Sequence, residues 1–337
     1  MILILSNNDD LSTDEIIDWL IFKGEEYFRI NGGDYVTLDK LTIDSDGAQT
    51  IIKCRNTQIN LKDLKSFWYR RGEIRIAHSP DLAKQLNSIN LKKLDENSEL
   101  SGCGFSEFFR GELDSIEAYL ALSLNNENHK SVGNFYNNYT IKIQNLQIAV
   151  SFGLSVPNTI ITSSKVEVVK FKTEQKRIVI KAIKDGVGID VNDIKYQGLT
   201  MSFCDDDIKD LPNEFFPMLF QKELDKKYEL RIFYLKGNFY SSAIFSQNDI
   251  QTQVDFRNYN HKKPNRTPPF KLPKEIEEKL ILLMNKIKMD SGSIDMVVTK
   301  ANEFVFLEVN PIGQFSQVSK PCNYFLERLF AKTISIK

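Results

Sequence analysis

At 337 residues, with 44 basic and 45 acidic side chains and a net charge of −1, the chain is long enough for two or three packed subdomains and needs no covalent staples. Its four cysteines, Cys54, Cys103, Cys204 and Cys322, form no C-x-x-C pair, which argues against disulfides and structural zinc and for reduced thiols in a cytoplasmic protein. Balanced charge speaks against a duplex-binding protein; no apolar run approaches the ~20 residues that span a bilayer, and MILILSNNDD lacks the basic start and cleavage site of a signal peptide.

Ile2 to Leu5 is an apolar run, Asn7 to Asp10 is turn chemistry, and S12-T-D-E15 fits a capping box, so the chain opens as strand then helix. Gly24 ends that helix, E25-E-Y-F-R-I30 supplies a second strand and N31-G-G-D34 a turn. Residues 35 to 77 alternate in short β-like pieces through W68-Y-R-R-G72, where Arg70 and Arg71 either face a cleft or pair with carboxylates of the N-terminal domain. A helix over about Ser106 to Leu124 precedes the polar run N125-N-E-N-H-K-S131, the best boundary on the chain.

Beyond it, Tyr139 to Ser151 patterns as an amphipathic helix closed by Gly153 and Pro157; Lys142 at its start is either solvated or a phosphate contact. Val166 to Phe171 and Arg177 to Ile183 read as strands. Lys181 ends the second, immediately before D185-G-V-G188. Glycine lets backbone N–H groups approach oxygens and a neighbouring ammonium neutralises phosphate, so Lys181 with Gly186 and Gly188 suits a phosphate loop, with an ordinary hairpin turn as the alternative. Met218 to Gln221 is a strand. F220-Q-K-E-L-D-K-K-Y-E-L-R231 reads as an extended hinge, either a plain polar connector or a backbone that meets an adenine edge, with Gln221, Glu223 and Leu224 nearest and Glu229 or Asp225 for ribose hydroxyls. Arg231 lies two residues from Glu229 on the same strand face, where a guanidinium takes a carboxylate or a phosphate. Strands Glu229 to Leu235 and Asn238 to Phe245 meet at Lys236-Gly237. The loop from Asp255 to Phe270 interleaves basic and aromatic residues; it is a solvated loop or a holder of an acidic peptide or acyl phosphate, with Arg257 as the contact.

After a helix over Lys274 to Lys286, S293-I-D-M-V-V-T-K-A-N-E-F-V-F-L-E-V-N-P-I-G313 reads as a β-hairpin. Alternation sends Glu308 and Asn310 to one face, and a turn around Lys300 to Asn302 brings Asp295 opposite or diagonal to them. Two carboxylates and an amide are either the solvated face of an edge hairpin or ligands for a hard cation such as Mg²⁺, whose remaining oxygens come from water and nucleotide phosphates.

In this order the pieces resemble the ATP-grasp superfamily: an N-terminal α/β domain, a helix Lys, a strand Lys before a Gly loop, a hinge, the E-L-R run ending at Arg231, then Asp295 and the E-V-N-P run that starts at Glu308. I141-K-I-Q-N-L-Q-I-A149 with G153-L-S-V-P-N-T-I-I-T162 is similar to the peptide-modifying branch. F67-W-Y-R-R-G72 and G313-Q-F-S-Q-V-S-K-P-C-N-Y-F-L-E327 look like the maturases of grasp-with-spasm systems, the graspetide or microviridin-type macrocyclases. Where relatives commonly carry Asn and Gln, this chain has Ile141 and Asn145.

The resemblance implies a mixed α/β and α+β class, an ATP-grasp fold with a Rossmann-like pre-ATP-grasp domain. Residues 1–128 would form that domain, 129–212 a central subdomain, and 213–337 a C-terminal subdomain with the metal site. It implies ATP and Mg²⁺, with Asp295, Glu308 and Asn310 as metal ligands. Lys142, Lys181, Gln221, Glu223, Leu224, Glu229, Gly186 and Gly188 would bind nucleotide, and Arg231 and Arg257 would act on the transferred phosphoryl group and peptide. The implied reaction phosphorylates Asp or Glu side chains of a ribosomally made precursor peptide and closes ω-ester or ω-amide rings. The partner is then that leader-plus-core peptide, neither nucleic acid nor membrane, and a homodimer is one assembly relatives form. Two other readings stand beside it: a ligase adding amino acids or glutamate to a protein tail or small acid, and a non-catalytic nucleotide-binding module.

Overall fold

The run I2-L-I-L-S6 is strand β1, buried along its whole length as a parallel strand covered on both faces must be. Helix α1 (Leu11–Phe22) follows, and β2 (Tyr27–Asn31) returns parallel to β1. Asp10 caps α1, accepting the Ser12 amide at 3.1 Å, so the helix starts ahead of the expected capping box. Ser12 and Thr13 lie inside it, and the Thr13 hydroxyl meets that of Ser6 at 2.7 Å. Strands β3 (Val36–Asp44), β4 (Gly47–Cys54) and β5 (Thr57–Asn60) form an antiparallel meander. Then come β6 (Ser66–Tyr69), helix α2 (Phe105–Leu124) and β7 (Lys130–Val132). The sheet order is β2-β1-β6-β7, all parallel.

The structure, a computed structural model, describes residues 1–45, 47–76, 105–125, 130–135, 141–184, 188–191 and 194–336. It divides into two units, Met1–Tyr136 with Glu327–Lys337, and Asn137–Leu326. The first unit runs past the polar stretch read as a boundary because β7 pairs with β6. Residues 327–337, read as part of the C-terminal subdomain, belong to the first unit: Phe330 of the terminal helix Leu326–Ile334 packs on Trp68, 4.7 Å between ring centroids. Arg70 and Arg71 both reach Asp10, at 2.9 and 3.0 Å, the carboxylate-paired alternative.

The second unit opens with α3 (Lys142–Ser151); residues 136–140, where that helix was expected to begin, lie outside the described residues. Strand β8 (Thr159–Ser164) follows, then helix α4 (Lys165–Gln175) where a strand was expected over Val166 to Phe171. Val168 and Phe171, three apart, are buried with Ile178 and Phe220, whereas Val166 and Val169 stay 73% and 45% exposed. Packing at helical spacing therefore overrides the β-branched run. Next come β9 (Ile178–Lys181), β10 (Gly188–Val191), β11 (Ile194–Gln197), β12 (Met201–Phe203), helix α5 (Asp205–Asp210) and β13 (Glu214–Lys222). β13 is an inner strand of the β12-β9-β13-β8 sheet, so that sheet continues past the expected break at residue 212.

Only Glu223 to Asp225 separate β13 from β14 (Lys226–Leu235), and the expected extended hinge is mostly strand. β15 (Asn238–Ile244), β16 (Pro269–Phe270), helix α6 (Lys274–Lys286), β17 (Ser291–Thr299), β18 (Phe304–Asn310) and helix α7 (Ser316–Cys322) complete the unit. The five strands order as β16-β15-β14-β17-β18. Leu146 and Ala149 of α3 and Leu280, Leu283 and Met284 of α6 cover one face in a single core cluster.

Candidate active site

That core fixes where everything else points. Leu230, Ile232 and Tyr234 of β14 and Ile294, Met296 and Val298 of β17 belong to the core, so Glu229, Arg231, Asp295 and Val297 face the opposite side. On β18, Phe306 and Val309 are both core residues, an odd spacing that simple alternation forbids. A one-residue bulge resolves it: Met296 pairs with Phe306 and Asp295 with Glu308, leaving Leu307 extra. Without the bulge Glu308 would share the face of Phe306 and enter the core. With it, Arg231, Asp295 and Glu308 form one row across three strands, and Ser293 pairs with Asn310 on the next. Asn302, in the left-handed region at φ 65°, closes the hairpin turn.

Arg231 Nη1 donates to both Asp295 carboxylate oxygens, at 2.7 and 2.6 Å. Lys142, the first residue of α3, sets its ammonium 2.9 Å from Glu308 Oε2 and 3.4 Å from the Ala182 carbonyl. Burial pushes the Lys181 ammonium down, with Glu308 opposing and Lys142 and Arg257 reinforcing. Burial alone would raise the Glu308 carboxyl, but Lys181 and Lys142 outweigh it and hold it at about 2. Asp295 is raised: burial dominates, Arg231 opposes and the Glu308 carboxylate adds.

Lys181, Asp295 and Glu308 line a cleft of about 240 Å³ with Gln221, Glu223, Leu224, Glu229 and Arg257. Lys142 and Arg231 act on it through the carboxylates they hold. Gln221 donates to the Thr159 hydroxyl at 3.0 Å. Glu223 accepts from Arg177 at 2.9 Å and Ser202 at 3.1 Å. Glu229 is buried, accepts from Lys226 at 3.0 Å and Ser246 at 2.9 Å, and burial raises its carboxyl. Asp225 lines the same end of the cleft. Gly188 begins β10, and Gly186 lies outside the described residues.

Sequence reasoning missed the anchor of Arg257. Asp255 takes its Nε at 2.9 Å and Nη2 at 2.6 Å and accepts the Thr200 amide at 2.9 Å. Arg257 overrides burial and brings the Asp255 carboxyl to about 2, and the Arg257 guanidinium is raised in return. The D255-F-R257 spacing, in which the carboxylate also accepts the Arg257 amide at 3.0 Å, was the available signal.

Among the described residues no group of three or more His, Cys, Asp or Glu forms a metal cage. The row supplies two carboxylates, with the Asn310 amide on the next rung, a partial oxygen set of the kind Mg²⁺ uses when phosphate and water complete its shell. Arg231 Nε and Ser293 Oγ are buried without a hydrogen-bond partner beside those carboxylates, as at a site whose bonding a ligand finishes. The donor set fits a nucleotide-bound divalent cation. No described helix is long and apolar enough to cross a membrane.

Residues 1–119 match the family described as MvdD pre-ATP grasp domain. Among solved structures, the chain resembles a Chryseobacterium gregarium RiPP-associated ATP-grasp ligase in complex with ADP and a leader and core peptide: 25% identity, TM-score 0.76, covering 99% of this chain and 94% of that one. The macrocyclase MdnC of Microcystis aeruginosa, bound with precursor peptide MdnA, is 23% identical with TM-score 0.72 over 99% of both chains. D-alanyl-alanine synthetase A of Vibrio cholerae shares the fold at 12% identity and TM-score 0.53, over 99% of this chain and 96% of that one. No curated protein matches in sequence.

Proposed function

We infer that this chain, an ATP-grasp fold behind an MvdD-type pre-ATP-grasp domain, is an ADP-forming, ATP-dependent peptide ligase that closes rings in a precursor peptide. The observation that carries the reading is the Arg231–Asp295–Glu308 row with Lys142 and Lys181 beside it: fixed cations and oxygen ligands converge where a transferred phosphoryl group gathers charge. The Chryseobacterium gregarium ligase in complex with ADP and a leader and core peptide, and MdnC bound with its precursor peptide, support it.

In the first step an Asp or Glu side-chain oxygen of the peptide attacks the γ-phosphorus of ATP, giving an acyl phosphate and ADP. In the second, a Ser or Thr hydroxyl, or a Lys amine, attacks the acyl carbon, loses its proton and expels phosphate, leaving an ω-ester or ω-amide. Asp295, Glu308 and Asn310 would hold Mg²⁺, which would supply charge neutralisation at phosphate oxygens. Lys142, Lys181 and Arg231 supply positive charge to the same oxygens, as would the backbone N–H dipole at Gly188. Gln221, Glu223 and Leu224 take the adenine end, and Glu229 a ribose hydroxyl. Arg257, held rigid by Asp255, presents its guanidinium to the peptide carboxylate and to the acyl phosphate. The protein works in the cytoplasm, where ATP is supplied, and light scattering tells a homodimer from a monomer.

Mass spectrometry of a Thr/Ser- and Asp/Glu-rich precursor after incubation with the protein, ATP and Mg²⁺ tests the function. Loss of one water per bond is expected. A gain of one amino-acid residue would make the chain a tail or small-acid ligase, and unchanged peptide with no ADP formed would make it a binding module.

A further inference from the structure

We propose that Lys142 and Arg231 stand in for the metal in the nucleotide-free protein, so that a divalent cation binds only after nucleotide phosphates have drawn these two cations off Glu308 and Asp295. The inference rests on the reading of those carboxylates as metal ligands and adds an order to their use.

Each carboxylate already has a full charge against it. Lys142 Nζ lies 2.9 Å from Glu308, with the two side chains 8% and 13% exposed, and Arg231 Nη1 lies 2.6 Å from Asp295, at 11% and 14%. Buried contacts of this kind are poorly screened. Counting the groups at the cleft and those holding its carboxylates, four cations, Lys142, Lys181, Arg231 and Arg257, stand against three carboxylates, Asp255, Asp295 and Glu308, while Lys226 offsets Glu229, and Arg177 and Lys222 offset Glu223 and Asp225. The excess is one positive charge.

A bare divalent cation therefore meets occupied ligands in a positive cleft, whereas a polyphosphate is drawn to it. Phosphate oxygens give the displaced cations somewhere to go: an ammonium takes a phosphate oxygen as readily as a carboxylate, and the Arg231 fork has its unpartnered Nε to offer. Once Lys142 and Arg231 have moved to phosphate, Glu308 and Asp295 hold uncompensated charge that the metal takes up. Nucleotide must then tighten metal binding, and metal must tighten nucleotide binding by the same factor. The arrangement prevents the ligand pair from being filled by metal without nucleotide.

The test is protein-bound Mn²⁺, read by water-proton relaxation on the full chain, with and without ADP. Wild type is expected to take Mn²⁺ weakly alone and at least about tenfold more tightly with ADP. Lys142→Met is expected to bind nucleotide-free Mn²⁺ at least about tenfold more tightly than wild type, the scale of one hydrogen bond to a charged group; Lys142→Arg, which keeps the charge, stays at the wild-type value. If near-ultraviolet circular dichroism shows Lys142→Met misfolded, Arg231→Met poses the same question at Asp295, with the same tightening expected. Nucleotide-free affinity no better than wild type in the folded variant, while wild type still gains Mn²⁺ with ADP, overturns the stand-in role and leaves the metal site intact. No ADP-dependent Mn²⁺ in wild type overturns the metal site and this inference together.

Discussion

Glu308→Gln, Lys142→Met and the double variant form a cycle that measures how the site is held before any ligand arrives. The ammonium and carboxylate are 2.9 Å apart and nearly buried. At that distance the gross attraction is about 6 kcal/mol for an effective dielectric near 20, most of it offset by desolvation. Removing one partner of a buried pair costs about 3–5 kcal/mol because the other charge is left behind. In Glu308→Gln the amide oxygen still accepts from Lys142, which brings the cost toward about 3 kcal/mol. Lys142→Met should cost a similar amount, since it leaves a buried carboxylate with Lys181 and, more weakly, Arg257 as its remaining compensation. The double variant removes both charges and should cost about as much as one single change, a coupling of about 2–3 kcal/mol. Trp19 and Trp68 both lie in the first unit, so tryptophan fluorescence would miss the event. Native-state hydrogen exchange of the β17 and β18 amides reads it directly. Single costs that add to within about 0.5 kcal/mol would refute the reasoning, showing that Glu308 is positioned by something other than Lys142.

Gly313→Ala would place a Cβ 2.0 Å from Ser293 Oγ and 2.2 Å from its Cβ. The N310-P-I-G313 turn must then move, at about 1–3 kcal/mol, and Mg²⁺·ADP affinity measured by calorimetry should fall, with Ser293→Gly in the same chain restoring part of it. Deleting Leu307 makes Phe306 and Glu308 neighbours in an unbulged register with Met296 and Asp295, which alternation already sends to opposite faces, so the deletion variant should keep nucleotide-dependent Mn²⁺ binding, as should Leu307→Ala; loss in the deletion variant alone would show that the bulge does more than set the face of Glu308. Arg257→Ala should slow precursor processing more than it weakens ADP binding. Because Asp255 is held at about 2, below its ordinary 3.8, the ion pair keeps its full stabilisation above that ordinary value and loses it only as pH falls toward 2, so the Arg257→Ala defect should be constant from about pH 6 to about pH 9. Equal losses in processing and ADP binding would place Arg257 with the nucleotide.

What the sequence made readable was the local pattern. Alternation along V305-F-L-E-V-N310 put Glu308 and Asn310 on one face, and the E229-L-R231 spacing put Arg231 beside Glu229, both as the strands turned out. It could not reveal the bulge at Leu307, since a bulge is a mismatch between two strands and leaves no trace in either alone. Helix α4 reads as a strand because V166-E-V-V-K-F171 carries β-branched residues, and only the sheet it covers selects Val168 and Phe171 as its buried pair. Asp255 escapes for a different reason: it lies next to Arg257 in a loop without periodicity, and its partners there, the Thr200 and Arg257 amides, are set by the folded backbone.

The oxygen bookkeeping of the reaction tests the central claim most directly. A precursor whose Asp and Glu side-chain carboxylates carry oxygen-18 is incubated with the protein, ATP and Mg²⁺, and the released phosphate is analysed by mass spectrometry. If a peptide carboxylate is phosphorylated at the Arg231–Asp295–Glu308 row, each ring closed releases one phosphate bearing one peptide-derived oxygen-18. Rings formed with phosphate free of the label would contradict the acyl-phosphate route and the role given to the site.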